Sequence, residues 1–353
     1  MSVLIFPAGM PKALEFKRVA ENIGLACVEA TSETKLASQS KDIIWLPYIT
    51  DSEFETKLDF VLEKYNIDLI YTAHAGVWLK LNKLKQRSGF RRFKICAEWP
   101  NTDDLRSYSR AYEWAQTCTV LLDLPIKPVS PSLPVFRYAN LYREFNNIPG
   151  ESDDEKIWLL TQIFKYAEPG DVIEIGSAYG RSAFSLAWLS GFYEIGTLIC
   201  IDPWDFNSSK DQGDRASLIN EAVHYVAWDQ VFMAFLISLA NSRNVNFIRK
   251  PSVAAVNDYR KAAQAKNFFT EEFGNTPLSG EISILHIDGN HSYEDVKRDL
   301  DTWLPFVKKG GWILLDDYLW AFGEGPKFVG DELIKSPDVT ISFVVGDTLC
   351  VRL

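Results

Sequence analysis

Two short apolar runs that each stop on acidic side chains constrain this chain more than any other feature. Ile282-Ser-Ile-Leu-His-Ile-Asp288-Gly-Asn-His291 is the first, and Trp312-Ile-Leu-Leu-Asp316-Asp317 is the second. Runs of this length, rich in β-branched and aliphatic residues, read as strands buried on both faces of a parallel sheet. In open α/β sheets the ligand crevice lies outside the carboxyl ends of the strands. Both runs would therefore bring Asp288, His291, Asp316 and Asp317 to one small volume. Clustered carboxylates repel one another unless a cation joins them, so the pattern points to a hard-cation site with a general base beside it. The plainer alternative is that these acids cap loops and helices.

Length and composition bound the rest. The 353 residues suggest about two domains. A hydrophobic content of 47% with 24% charged residues is that of a globular chain able to bury a core. No run approaches the ~18 apolar residues of a membrane span, so no membrane role is expected. Met1-Ser-Val-Leu-Ile-Phe lacks a basic leader, and Lys12 follows too soon for a signal peptide. Cys27, Cys96, Cys118, Cys200 and Cys350 are scattered and show no CxxC spacing, which predicts reduced, packed thiols and a cytoplasmic location. The net charge of −10 is uneven: residues 1–150 hold 19 Lys+Arg against 17 Asp+Glu, and residues 151–353 hold 18 against 30. An acidic second half without a basic stripe excludes nucleic acid as the expected partner.

The first half alternates strand and helix signals. Strands are predicted at Val3–Phe6, Leu25–Ala30, Ile43–Leu46, Ile67–Tyr71 and Phe93–Cys96. Helices are predicted through Ala13–Ala20 and over Phe54–Tyr65, giving a small parallel α/β domain over residues 1–124. Pro125-Ile-Lys-Pro-Val-Ser-Pro-Ser-Leu-Pro134 is proline-dense and reads as a linker, with a short helix near Tyr138–Phe145 closing the segment 125–150. The second domain, 151–353, opens with a helix over Ile157–Ala167. Gly170–Ser182 reads as a strand, a glycine-bearing turn and the start of a helix, and further strands follow at Leu198–Asp202, Val245–Ile248, Ile282–Ile287 and Trp312–Leu315. Thr340–Val345 and Thr348–Arg352 flank Gly346-Asp347 and form a terminal antiparallel hairpin. His286 reads as a packed core histidine and Ser292 with Asp295 as a helix cap. The polar stretch Asp205–Ala222 reads as a lid.

Glu174-x-Gly176-x-x-x-Gly180 at a strand-to-helix turn, Asp202 ending the next strand, and the terminal hairpin resemble the class I S-adenosylmethionine-dependent methyltransferases. Glycines in such a turn let backbone approach a cofactor closely. The usual middle glycine is Ala178 here, and the G-x-G-x-x-G dinucleotide fingerprint is absent. Residues 282–318 resemble most closely the macrocin-type sugar O-methyltransferases and the cephalosporin-hydroxylase-like proteins. That resemblance implies a Rossmann-like sheet, S-adenosylmethionine contacted by Glu174, Gly176, Ser177, Gly180, Ser182, Asp202 and Ser252, and magnesium on Asp288, Asp316 and Asp317. It also implies His291 as base beside Asp288, a hydroxyl acceptor on a sugar or small polyol-like molecule, and a homo-oligomer. Asp316 stands where those enzymes carry Glu, and Asn290 where many relatives carry Asp. A hydroxylase-type or other non-methylating enzyme on the same fold, or a cofactor-binding protein without catalysis, are the alternative readings. Leu4-Ile-Phe-Pro-Ala-Gly-Met-Pro-Lys-Ala-Leu-Glu resembles the small α/β domain that precedes ATP-grasp modules, which implies an accessory domain.

Overall fold

The computed structural model describes residues 2–87, 90, 93–213 and 215–353. The chain divides into two compact units, Met1–Ser109 and Arg110–Leu353.

The first unit is a five-stranded, all-parallel sheet. Its strands are β1 (Ser2–Ile5), β2 (Ala26–Thr31), β3 (Ile43–Trp45), β4 (Ile67–Tyr71) and β5 (Lys94–Ile95), in the order β3-β2-β1-β4-β5. Pro11 starts the helix Pro11–Asn22, where a missing N–H costs nothing. Leu4, Phe6, Ala30, Phe54, Leu58 and Ile70 form the core.

The second unit carries a seven-stranded sheet. It consists of β6 (Asp171–Ile175), β7 (Leu198–Ile201), β8 (Val245–Ile248), β11 (Ile282–Ile287), β12 (Val307–Leu315), β13 (Ile341–Val345) and β14 (Thr348–Arg352). The order is β13-β14-β12-β11-β6-β7-β8. Pairing is parallel from β12 to β8, and β14 runs antiparallel between β12 and β13. The fold is thus α/β with a Rossmann-like sheet and a terminal antiparallel hairpin. A second hairpin, β9 (Asn267–Thr270) with β10 (Gly274–Pro277), has no counterpart in the sequence reading.

The period-two alternation of a strand builds two cores from one sheet. Val172, Leu198, Cys200, Ile284, Trp312 and Leu314 face one side, with the helix Asp154–Tyr166 over them. Ile173, Ile199, Leu285, Ile313 and Leu315 face the other. This alternation also decides where the acids at the strand ends point.

The proline-dense stretch is not a free linker. Val129 and Ser130 donate to the Lys165 carbonyl, and Leu122, Leu124, Ile126 and Leu133 pack on the second unit's core. The division between units falls instead within the helix Thr102–Thr117, which the sequence reading missed. Prolines held an extended strap flat on the core here, where low periodicity suggested a spacer. Among the described residues no single helix is long and apolar enough to cross a membrane. The bent pair Ser217–Tyr225 and Trp228–Leu239 reaches that composition only together, and the second helix buries Val231, Phe235 and Leu239 in the core.

Candidate active site

A cleft of about 760 Å³ opens at the carboxyl ends of β6, β7, β11 and β12. Its wall is the turn after β6. Gly176 there has φ +83°, and a Cβ on it would lie 1.9 Å from the Asp288 carbonyl oxygen. The glycine therefore serves the close approach of two strand ends, where Asp288 donates its N–H to the Ile175 carbonyl at 2.8 Å. Gly180, at φ +87°, starts the helix Arg181–Phe192 and does not line the cleft. Between them Ala178 adopts φ +41°, a left-handed conformation that a Cβ makes costly and that explains why this position ordinarily takes glycine.

Asp202 holds this turn in place. Its Oδ2 accepts from the backbone N–H of Ser177 and of Ala178, both at 3.0 Å, and its Oδ1 accepts from Trp204 N–H at 2.6 Å. Burial pushes the carboxyl above its usual range, while those three N–H groups pull it down. A carboxylate has lone pairs to spare for a ligand hydroxyl after three bonds. Ser177, Ser182 and Ser252 also line the cleft. Ser252 gives its hydroxyl to Asp299 and makes no cap bond to its own helix; burial raises Asp299 to about 6.

Glu174, expected at the cofactor, does not line the cleft. It is fully buried on the helix-covered face, where Ser177 Oγ donates to its Oε2 at 2.6 Å and His286 Nδ1 lies 3.2 Å from its Oε1. His286 is indeed a core histidine, although its Nε2 has no hydrogen-bond partner among the described residues.

The floor of the cleft divides the expected metal ligands. Asp288 and Asp317 line it with His291; Asp316 does not. Ligand atoms of Asp288, His291 and Asp317 all lie within 4.8 Å of one another. His291 Nε2 is 2.8 Å from Asp317 Oδ2, a close contact that is poorly aligned for a hydrogen bond, and its Nδ1 has no partner among the described residues. The ring packs against Trp320 with centroids 4.5 Å apart and planes tilted by 47°. Asp316 lies under the helix, ion-paired with Lys156 and hydrogen-bonded by Thr348 Oγ1 at 2.6 Å, with ligand atoms of Asp288 and His286 within 4.8 Å. Strand alternation requires this: Asp316 continues the register of Trp312 and Leu314 under the helix, and Asp317 escapes toward the cleft by taking φ +53°.

Burial pushes Asp288 up, reinforced by the Asp317 charge and opposed by Lys156, His286 and His291. Burial acts on Asp317 too, but the contact and charge of His291, with Lys156 and His286 behind, bring it below its usual range.

Asp205–Ala222 folds as two short helices, Phe206–Ser209 and Ser217–Ala222, with Asp214 outside the described residues. It covers the floor: Asn290 Nδ2 donates to the Lys210 carbonyl at 2.9 Å, and His291 N–H donates to Gln212 Oε1 at 3.1 Å. Ser292 caps the helix Tyr293–Trp303 as expected. Sequence reasoning missed Lys156, Gln212 and Trp320. Lys156 left a signal, since it occupies the apolar stripe of its helix shared with Leu160 and Ile163.

Residues 173–318 match the methyltransferase domain family. The second unit carries a methyltransferase domain. Its strand order, with the reversed β14 beside β12, is that expected of the class I, S-adenosylmethionine-dependent type. Two curated proteins are similar. An uncharacterized protein, y4gI, of Sinorhizobium fredii is 24% identical over 165 residues, covering 46% of this chain and 14% of that protein. An uncharacterized protein, R132, of Acanthamoeba polyphaga mimivirus is 46% identical over 41 residues, covering 12% of this chain and 19% of that protein. The chain thus spans under a fifth of the length of both relatives it matches. Among solved structures, the calicheamicin methyltransferase CalS11 superposes with a TM-score of 0.38 at 14% identity, over 71% of this chain and 93% of that one. The O-methyltransferase NovP gives 0.39 at 17% identity, over 70% and 98%.

Proposed function

We propose that the second unit transfers a methyl group from S-adenosylmethionine to a hydroxyl oxygen of a sugar or small polyol-like acceptor, with a divalent cation, magnesium by preference, assisting. The observation that carries this reading is the meeting of two parts in one cleft: a turn tied down by Asp202, and a floor where Asp288, His291 and Asp317 converge.

Bound S-adenosylmethionine would supply an electrophilic methyl group for in-line displacement. The cleft suits a ligand of that size, and Asp202 keeps acceptor capacity facing it. Two carboxylates and an imidazole in reach of one point also fit a divalent cation, which would acidify a nearby hydroxyl. Asp288 and Asp317 would hold it; Asp316 would not. His291 Nδ1, which has no partner among the described residues, takes the hydroxyl proton. Asp317 at Nε2 orients the ring and stabilises the imidazolium that results. Gln212 and Asn290 fix the loop that carries His291 and keep water out.

Calorimetry with S-adenosylmethionine and with its demethylated product tests the reading, and binding of neither would refute it. Labelled cofactor with extract of the source cell separates the alternatives, since a hydroxylase-type enzyme or a silent binder moves no label to an acceptor. Excess chelator should stop turnover and spare cofactor binding. For the first unit we propose an accessory role in acceptor recognition or self-association, as a homo-oligomer whose mass light scattering would read. The free cysteines, three of them buried, support a reducing, cytoplasmic setting.

A further inference from the structure

Asp316 already has its cation. The Lys156 ammonium pairs with Oδ2, Thr348 Oγ1 donates to Oδ1 at 2.6 Å, and the two charged side chains are 3% and 9% exposed. A lysine buried this deeply is held there by its partner and its backbone together. Its backbone is fixed, because Asp153 caps the helix and accepts from the N–H of Glu155 and of Lys156, both at 2.9 Å. Its stem lies on the buried stripe with Leu160 and Ile163, so the ammonium cannot leave for water without pulling the helix from the sheet. Behind Asp316, His286 Nε2 is fully buried, without a partner among the described residues, and 3.8 Å from the same Oδ2, while a carboxylate oxygen of Asp288 lies within 4.8 Å of ligand atoms of both residues.

An ammonium and a metal ion compete for the same lone pairs of a carboxylate. We infer that Lys156 is a tethered cation that holds Asp316 out of a metal's coordination sphere, leaving Asp288 and Asp317, beside His291, as a weaker, open set. This rests on the metal-assisted reading above and departs from the ligand set that the sequence resemblance implies. Lys156 is a positioning residue in this scheme: it acts on the cation through Asp316 and through the positive charge it places beneath Asp288.

The test is titration of the full chain with Mn²⁺, following the electron paramagnetic resonance signal of the free ion, without cofactor or acceptor. Lys156→Met frees Asp316 and removes a repelling charge, so Mn²⁺ should bind tighter by about tenfold or more. Lys156→Met combined with Asp316→Asn removes both charges at nearly constant shape, should fold, and should bind Mn²⁺ close to the wild-type value. Adding Asp317→Asn to that pair should abolish binding. A folded Lys156→Met chain that binds no tighter than wild type overturns the inference, and so does a double variant that loses affinity by about tenfold or more. If Lys156→Met fails to fold, the double variant decides. If no chain binds Mn²⁺ the inference fails, and calorimetry with S-adenosylmethionine reports separately whether the methyltransferase reading survives.

Discussion

The wall and the floor of the cleft are built from the same parts, strand ends bearing acids, yet they solve opposite problems. In the wall, Asp202 spends its oxygens on three backbone N–H groups, and Glu174 is closed off by Ser177 and His286. In the floor, His291 has a nitrogen without a partner among the described residues, and ligand atoms of Asp288, His291 and Asp317 stand within 4.8 Å of one another. Satisfied polar groups make a rigid surface that binds; unsatisfied ones make a place where protons and cations move. One sheet supplies both because its strand ends differ in what reaches back to them.

The sharpest way to break this contrast is at the charge beneath the floor. Lys156→Ala should cost about 3–5 kcal/mol of stability, the usual result of orphaning one member of a buried ion pair. Chemical denaturation would read it, and an unchanged midpoint would mean that Asp316 finds water instead. His291→Ala should lower turnover by about 10²-fold, the scale of a positioned proton acceptor, with S-adenosylmethionine affinity held. Near-normal turnover would move the base role away from the floor. In the wall, Asp202→Asn turns an acceptor into a donor that faces N–H groups. Cofactor affinity should then fall by roughly tenfold in calorimetry, about 1.4 kcal/mol, close to the lower end for a bond to a charged group. The smallest effect lies at Asp299, whose carboxyl sits at about 6. A raised folded-state pKa means that its contribution is full below the unfolded value near 3.9 and is lost as pH rises through about 6. Asp299→Asn should therefore raise the melting temperature relative to wild type at pH 8, with the gain shrinking toward pH 4. A gain independent of pH would assign the effect to packing.

Much of the architecture was legible because it rests on local rules. Short apolar runs located every strand of the larger sheet, and the two-residue Gly346-Asp347 turn located the hairpin. The site was legible only to the resolution of neighbours in sequence. Asp316 and Asp317 are adjacent, and charge counting put them on one ion; strand alternation sends one to the cleft and the other beneath the helix. That rule was available from the sequence, since Trp312 and Leu314 share the register of Asp316. The Lys156 partner was not, because nothing local says that a helix begun at Asp154 will lie across a strand that ends at Leu315. For Gly176 the sequence suggested close approach to a ligand, and the structure adds a second reason that no local pattern shows: a Cβ there would strike the Asp288 carbonyl. Prolines 125–134 misled because an extended segment looks the same in sequence whether it spans a gap or lies on a core.

The antiparallel insertion of β14 between β12 and β13 sets a schedule for assembly. During synthesis β12 emerges with its outer edge bare, and it must wait until Thr348–Arg352 exist before that edge is paired. In the interval Asp316 has lysine on one side and no threonine on the other, and Trp312–Leu315 presents an unpaired apolar edge of the kind that recruits strands from other chains. The strand that seals this edge is thus made after the wall and the floor, and a ribosome that stalls after β13 would release a chain that carries Asp202, Asp288, His291 and Asp317 but leaves β12 with an open edge.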